Sequence, residues 1–549
     1  MIPNLELLSA NIAGDIETSD AALRTYSRDA SLFSVPPQAV IFPKSAADVQ
    51  AVVTWVSENK KRDPSLSVTA RSAGTDMSGG PLNTSIILDF TRYMNKVLEV
   101  RPAGAIVEPG CYYRDFDKET RAHGFMMPAY TASREICAVG GMVANNSGGE
   151  KSIKYGKVEN YVKKLKVVFS DGKLYEVHPM TKAELSEKMK EETFEGGLYR
   201  KLFDLIEKNY DAIESAKPQV SKNSSGYYLW NVYDRKSGTF DLCKLIVGSQ
   251  GTLGIVTEIT FGLVPLPKYS NLLVVFLPSL ERVSDLINRI LPYKPESLET
   301  YDDKAMILAL RFFFDFFKQL GFFGALRLGF QFIPETLMIL TGGVPKIILM
   351  IEFTGQSEAE VKAKLVDMRD HLKDFHFKMH IARNSGEAEK YWDIRHESFN
   401  LLRKHSHGKR SAPFVDDIVV KPEVLPEFLP KVTSILDSYK LDYMVQGHLG
   451  NGNFHLIPLM DLDSPFSADQ ILEISKKVYG VVKEFRGSNS AEHNDGIIRT
   501  PFLRDQFGEE IYSLFEKTKD IFDPEHILNP GKKVGGTFED VKKWIAKKN

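Results

Sequence analysis

Apolar residues come in short runs along most of this chain, closed by Gly, Pro or Asp and separated by amphipathic stretches. AVIFPKSAADVQAVVTWVSEN, from Ala39 to Asn59, predicts a strand followed by a helix with Ser45 at its N-cap. SLSVTA, SIILDF and AIVEPG predict further strands. YVKKLKVVFSDGKLYEV predicts a hairpin turned at Asp171-Gly172, and KLIVGSQGTLGIVTEITFGLVPLP predicts two strands around glycines. These patterns place one α+β domain over residues 39–267, after a polar N-terminal segment, 1–38. A second α+β domain is expected over 268–489, where LLVVFLP and IILMIEFTG are strands with helices on one face of their sheet. Residues 490–549 read as a helix and a Pro-containing turn that return to the first domain.

One stretch breaks the pattern. Nine of the 34 phenylalanines fall between Phe312 and Phe332, in an insertion spanning 306–343. No charge-free apolar run there reaches the roughly 20 residues a spanning helix needs. On a helical wheel Arg311, Asp315, Lys318 and Gln319 share one face, and Phe313, Phe316, Phe317, Leu320 and Phe323 the other. Two readings follow: a helix packed on its own domain, or an interfacial helix over 311–340 that makes a peripheral membrane or dimer contact.

Composition narrows the class. At 549 residues, 43% hydrophobic and 26% charged, the chain has material for two or three packed cores. A formal net charge of −2 gives no footprint for nucleic acid. Cys111, Cys137 and Cys243 share no short spacing, which excludes a disulfide framework, a cysteine zinc site and an in-chain iron–sulfur cluster. The opening residues, MIPNLELLSANIAGDIE, lack the basic and apolar regions of a signal peptide, so a cytoplasmic location is expected.

Candidate chemistry begins with glycine. ARSAGTDMSGG (Ala70 to Gly80), GGMVANNSGGEKSIKYG (Gly140 to Gly156), GSQGTLG (Gly248 to Gly254) and LNPGK (Leu528 to Lys532) each allow backbone N–H groups to gather on one anion. None is a GxGxxG between strand and helix, and there is no GxxxxGK[ST]. Four such runs together suit one large cofactor threaded through several loops.

The chain has only 12 histidines, and VQGHLGNGNFHLI places two of them across a Gly-Asn-Gly run. With Asn451-Gly452 at a hairpin centre, His448 would face His455, with Cβ atoms about 5 Å apart. Two neutral imidazoles at that separation supply two of the three ligands of a catalytic metal site; zinc, manganese and iron(II) all accept such sets. A third ligand must come from elsewhere, and SAEHNDG offers Glu492 with His493 beside it.

In order and spacing, ARSAGTDMSGG, CAVGGMVANNSGG and GSQGTLGIVTEITFGLVP resemble the flavin-binding domain of the vanillyl-alcohol-oxidase-like flavoproteins. WDIRHE (Trp392 to Glu397), GHLGNGNFH, SAEHNDG and LNPGK resemble the D-lactate, glycolate and D-2-hydroxyglutarate dehydrogenase branch of that group. The resemblance implies a two-part FAD-binding domain plus an α+β substrate (cap) domain. It implies a pyrophosphate held by the backbone of Ser72, Ala73, Gly74, Thr75 and Asp76, with Gly79 and Gly80 nearby. Ser133, Gly140, Gly141 and Asn146 match flavin-contacting positions; Gly251, Thr252, Gly254 and Ile255 match the adenine-side strand, and Asn529 the C-terminal return. Relatives with histidyl-linked flavin carry His where Thr75 stands, so the FAD is expected to be non-covalent. Gln250 stands where relatives often have Glu.

The resemblance also assigns roles to the second half. His448, His455 and Glu492 would hold a divalent metal, His493, expected to be neutral near pH 7, would be the catalytic base, and Arg395 would grip a substrate carboxylate. It implies oxidation of a small D-2-hydroxy acid, D-lactate being the first choice. Without cluster-binding cysteines, the electrons would leave to an external acceptor: a quinone, a cytochrome or a soluble carrier. The alternatives are an oxidase, a dehydrogenase of glycolate or D-2-hydroxyglutarate, or a non-catalytic FAD subunit of a redox complex.

Overall fold

The computed structural model describes residues 2, 5–304, 306, 345–404 and 408–547 and builds them around three main sheets. In the first, Ala39–Phe42 and Val68–Arg71 both run parallel to Ile86–Asp89, and Asp15–Glu17 closes one edge antiparallel. Ala39, Ile41, Ile86, Leu88 and Val68 bury against Val49, Val52, Val53 and Val56 of helix Ala46–Asn59, whose apolar positions recur at helical spacing. Ser45 occupies the N-cap position without a capping hydrogen bond. The buried Asp48 carboxylate instead accepts the N–H groups of Lys44 and Ala13, at 2.7 and 2.8 Å.

The second sheet is antiparallel throughout, in the order Val97–Arg101, Gly104–Val107, Ile255–Gly262, Val162–Val168, Leu174–Val177. The hairpin at Asp171-Gly172 forms as the pattern predicts, with Gly172 at φ +76°. The expected pair of strands around Gly248 to Gly254 does not form. Cys243–Ile246 is a short helix, and only Ile255–Gly262 is a long strand of the sheet. The turn between them uses left-handed backbone at Gly248, Gln250 and Gly251, which ends the helix and rules out a ladder partner there.

The third sheet has eight strands. Its main path runs Lys378–Ile381, Tyr269–Leu277, Ile347–Gly355, Ser297–Asp302, Asp442–His448, Asn453–Met460, Arg410–Ser411, and Ile418–Val419 pairs beside it with Asn453–Met460. Both faces are covered, a correction to the single-face expectation. Leu273, Val275 and Leu277 pack toward helices Val283–Ile290, Glu358–His371, Leu425–Ser438 and Ser467–Glu484. Leu272, Val274 and Phe276 pack the other way, with Ala388 and Tyr391 of helix Ser385–Lys404. Strands buried on both sides read as continuous apolar runs, as LLVVFL and IILMI do.

The C-terminal stretch crosses back to the first domain. Helix Leu503–Phe522 buries Leu514, Phe515 and Phe522 in the core of the second sheet, and Leu528 then bridges Val68 of the first. The buried Lys519 ammonium fastens the return. It donates to Thr252 O at 2.7 Å, Leu528 O at 2.6 Å and the Asp523 carboxylate at 2.6 Å. The Phe-rich positions 307–344, on which the interfacial-helix reading rests, lie outside the described residues. Among the described residues no helix is long and apolar enough to cross a membrane.

Candidate active site

The site is assembled at the turn between Asp442–His448 and Asn453–Met460. The pairing differs from the expected hairpin: His448 stands opposite Asn453 and Gln446 opposite His455. Asn451 closes a short 3-10 turn, Leu449–Asn451, rather than sharing a two-residue turn with Gly452. Gly452 follows at φ +68°, where an added Cβ would lie 1.9 Å from the Val420 carbonyl oxygen. The register moves by two residues, so both histidines keep the same face of the sheet. Their rings meet diagonally, with centroids 5.3 Å apart and planes at 90°.

Three imidazoles are each anchored through Nδ1. His455 Nδ1–H donates to the Asp416 carbonyl at 2.9 Å, which leaves Nε2 with its lone pair. His448 Nδ1 meets Glu299 Oε1 at 2.7 Å, and its Nε2 lies 3.4 Å from Glu492 Oε2. His493 Nδ1 meets Asp416 Oδ2 at 2.7 Å, and its ring stacks on His455 at 5.0 Å. Nitrogen and oxygen ligand atoms of His448, His455 and Glu492 all fall within 4.8 Å of one another, enough to hold one cation with a small adjustment.

Charge is organised around this set. Burial would raise the Glu492 carboxyl, but the Lys222 ammonium against Oε1 and His448 beside Oε2 hold it well below the usual range. Burial and the two neighbouring imidazoles push His455 down to about 4, so its ring is neutral at physiological pH. His493 departs from expectation. Burial opposes its charge, but Asp417 and Asp416 prevail and push it up to about 9, so without a nearby cation it is an imidazolium at pH 7.

The loop carrying Glu492 and His493 hangs on Asp417. Its Oδ2 accepts the N–H groups of Glu492 and His493, at 2.8 and 2.7 Å, and the Ser490 hydroxyl at 2.7 Å. Asp416 is in turn held by the fully buried Arg499.

One cavity of about 480 Å³ joins this set to the glycine-rich loops. Of the residues matched to a cofactor, Ser72, Ala73, Gly74, Thr75, Asp76, Gly80, Ser133, Gly140, Gly141, Gly251 and Gly254 line it. Arg395, His448, His455, Glu492 and His493 line it too. Gly79, Asn146, Thr252, Ile255 and Asn529 are not among the residues that line it. Asn529 ties three loops together, accepting from Thr69 and donating to Gly80 O and Gln250 O. The Thr252 hydroxyl is taken by Tyr227 and Ser249 O, Ile255 is in the core, and Asn146 Oδ1 accepts from Glu159 N–H. Gln250 is a two-way clamp: Oε1 accepts Gly496 N–H, and Nε2 donates to Ser78 and Asn145. A Glu there would lose the donor half.

The loops fit a bound FAD. Among the described residues, the backbone N–H groups of Ser72 to Met77 find no acceptor within the chain, and all six residues line the cavity. That is the donor set a pyrophosphate needs. The Asp76 side chain is not part of it; it caps Ser78 and Gly80 and accepts from Asn145. Gly148 brings the two halves together, since a Cβ there would sit 2.9 Å from Glu492 Oε1.

Sequence reasoning missed Asp416, Asp417, Glu299, Lys222 and Arg499. A signal existed for the first two: PFVDDIVV sets adjacent carboxylates inside an apolar run, and buried carboxylates require partners. Glu299 likewise sits mid-strand in Ser297–Asp302, which is buried throughout. Lys222 and Arg499 carry no such mark.

The chain is similar to known proteins over most of its length. The profile of the FAD binding domain matches residues 37–178, and that of the FAD linked oxidases, C-terminal domain, matches 266–533. A D-2-hydroxyglutarate dehydrogenase of Pseudomonas putida is 29% identical over 96% of this chain and 51% of its own length. Further curated relatives carry the same name. A D-lactate dehydrogenase of Archaeoglobus fulgidus is 25% identical over 90% of this chain and 91% of its own. The chain spans about half the length of the Pseudomonas relative and of several others. The 4-ethylphenol oxidase of Gulosibacter chungangensis shares the fold, with a TM-score of 0.67 at 18% identity over 97% of both chains. The matched profiles, the order of the motifs and the shared fold lead to one assignment: this chain belongs to the FAD-linked D-2-hydroxyacid dehydrogenase family.

Proposed function

We propose that this protein oxidises a D-2-hydroxy acid to the 2-oxo acid, passing two electrons to FAD and from there to an external acceptor such as a quinone, a cytochrome or a soluble carrier. The observation that carries the reading is the shared cavity. The N–H-rich loop Ser72 to Met77 and the His448, His455, Glu492, His493 and Arg395 set line the same space. The predominance of relatives named for D-2-hydroxyglutarate favours that acid over D-lactate, which was the first choice on sequence alone.

Those loops would hold FAD without a covalent bond, and the flavin would supply the two-electron acceptor. His448, His455 and Glu492 would hold a divalent cation, which would supply a Lewis acid that lowers the pKa of the substrate hydroxyl. Arg395 lines the cavity and offers a guanidinium to the substrate carboxylate. His493 presents Nε2 to the hydroxyl proton, and Asp416 at Nδ1 stabilises the imidazolium that proton transfer creates. To act as a base His493 must begin neutral, and a cation held by His448, His455 and Glu492 would lower its proton affinity in that direction.

Anaerobic flavin bleaching tests the proposal. The expected result is reduction by D-2-hydroxyglutarate faster than by D-lactate or glycolate, none by the L-enantiomers, and loss of reduction on chelation with the flavin retained. Reduction by no 2-hydroxy acid would overturn the reading. Undiminished reduction after complete metal removal would overturn the cation's part in it.

A further inference from the structure

Glu299 lies outside the cavity wall and touches two residues that form it. Its strand, Ser297–Asp302, pairs with Asp442–His448 so that Thr300 faces Gly447 and Tyr301 faces Gln446. Continuing that antiparallel register sets Glu299 beside His448. Oε1 takes the imidazole at Nδ1, 2.7 Å away, and Oε2 takes Arg395 through Nη2. The carboxylate is 1% exposed, His448 6% and Arg395 5%, so water does not compete for these contacts.

Resting on the function proposed above, we infer that Glu299 is a positioning residue that couples the cation site to the substrate-carboxylate site. One oxygen holds the proton on His448 Nδ1 and so presents the Nε2 lone pair toward Glu492 and His455. The other stands against Nη2 of the Arg395 guanidinium as a buried ion pair, and so keeps that charge beside the groups that hold the hydroxyl end of one 2-hydroxy acid. A carboxylate hydrogen-bonded behind a ligating imidazole typically accounts for about 10–100-fold in metal affinity. Removing one partner of a buried ion pair frees the guanidinium to shift, and the expected cost is at least about tenfold in substrate binding. No single apolar or neutral residue at position 299 can do both.

Two variants separate the two halves. Glu299→Ala removes both contacts. Glu299→Gln keeps an oxygen acceptor for His448 Nδ1–H but turns an N–H₂ group toward Arg395. Chelator-treated, FAD-loaded protein is titrated with Zn²⁺ and with Mn²⁺ against a competing indicator, and KM for D-2-hydroxyglutarate is measured on metal-loaded protein. Glu299→Ala is expected to lose 10–100-fold in cation affinity. Glu299→Gln is expected to bind cation within about threefold of wild type, a small fraction of the effect of losing the acceptor, while its KM rises at least about tenfold. A residue needed only for folding would move both readouts together and lower the melting temperature in step.

The inference is overturned if Glu299→Ala binds cation as tightly as wild type, or if Glu299→Gln loses as much affinity as Glu299→Ala. Should Glu299→Ala fail to fold, Glu299→Gln decides alone: retained cation affinity with a raised KM supports the coupling, and any other combination rejects it. Wild-type protein that binds no cation removes the metal role from the proposed function and this inference with it. Wild type that binds cation and turns over, beside an indistinguishable Glu299→Ala, removes only the inference.

Discussion

Asp417→Asn perturbs the loop that carries Glu492 and His493. The Asp417 carboxylate is fully buried, and its Oδ2 alone accepts three hydrogen bonds, from Glu492 N–H, His493 N–H and the Ser490 hydroxyl. Oδ1 accepts a fourth, from Asn453 Nδ2, at 3.1 Å. Asparagine keeps one oxygen with two lone pairs and converts the other oxygen to a donor. If the amide oxygen stays toward the loop, three charge-assisted bonds become neutral ones or are lost, and the N–H₂ group meets the Asn453 donor head-on. Each charge-assisted bond is worth about 1.5–3 kcal/mol against about 0.5–1.5 for a neutral one, so the loop loses roughly 3 kcal/mol.

The loop carries Glu492 and His493, the cation ligand and the base of the proposed function, so on that reading the loss should reach the chemistry. About 3 kcal/mol corresponds to about two factors of ten in rate. The assay is anaerobic stopped-flow flavin reduction on FAD-loaded protein, alongside thermal melting. The expectation is kcat/KM lowered by about 10²-fold, with the flavin retained. A variant with kcat/KM within about threefold of wild type would refute the claim that Asp417 sets the Glu492–His493 loop, because that difference is below 1 kcal/mol.

Two further perturbations test the scaffold. Gly452→Ala meets the Val420 carbonyl oxygen at 1.9 Å from a backbone at φ +68°; left-handed backbone alone costs roughly 1–3 kcal/mol for a non-glycine residue. A lower melting temperature and weaker cation binding are expected, because this turn sets His448 against His455; unchanged melting would show that the turn adapts. Lys519→Met leaves the buried Asp523 without its cation, and breaking a buried pair from one side costs about 3–5 kcal/mol. Melting and FAD retention should both fall, and Lys519→Met with Asp523→Asn should recover part of the loss; a double variant no better than the single one would deny the pairing its role.

Much of the chemistry was legible in the sequence because it is local. The left-handed glycines at Gly74, Gly79, Gly248 and Gly251 mark loops whatever packs against them. The face shared by His448 and His455 survived a wrong choice of turn, since a shift of two residues preserves the alternation of a strand. The exact register did not survive, because Asn451-Gly452 scores as a two-residue turn, whereas the chain makes a 3-10 turn with Gly452 at its end. Nothing local distinguishes these. The difference lies in the Val420 carbonyl, which leaves room for only a glycine at that position.

The protonation of His493 was not legible at all. An imidazole beside a glutamate in SAEHNDG reads as an ordinary titrating base. Asp416 and Asp417, over seventy residues earlier, raise its proton affinity, and they do so only because a buried strand returns to that point. The sequence alone determined the residue types, their local turns and the face each presents, since backbone conformation and strand alternation act over a few neighbours. The tertiary structure alone decided which carboxylate stands behind which imidazole. Buried electrostatics depend on distances of a few ångströms between side chains far apart in the chain, and those distances exist only once the sheets have packed.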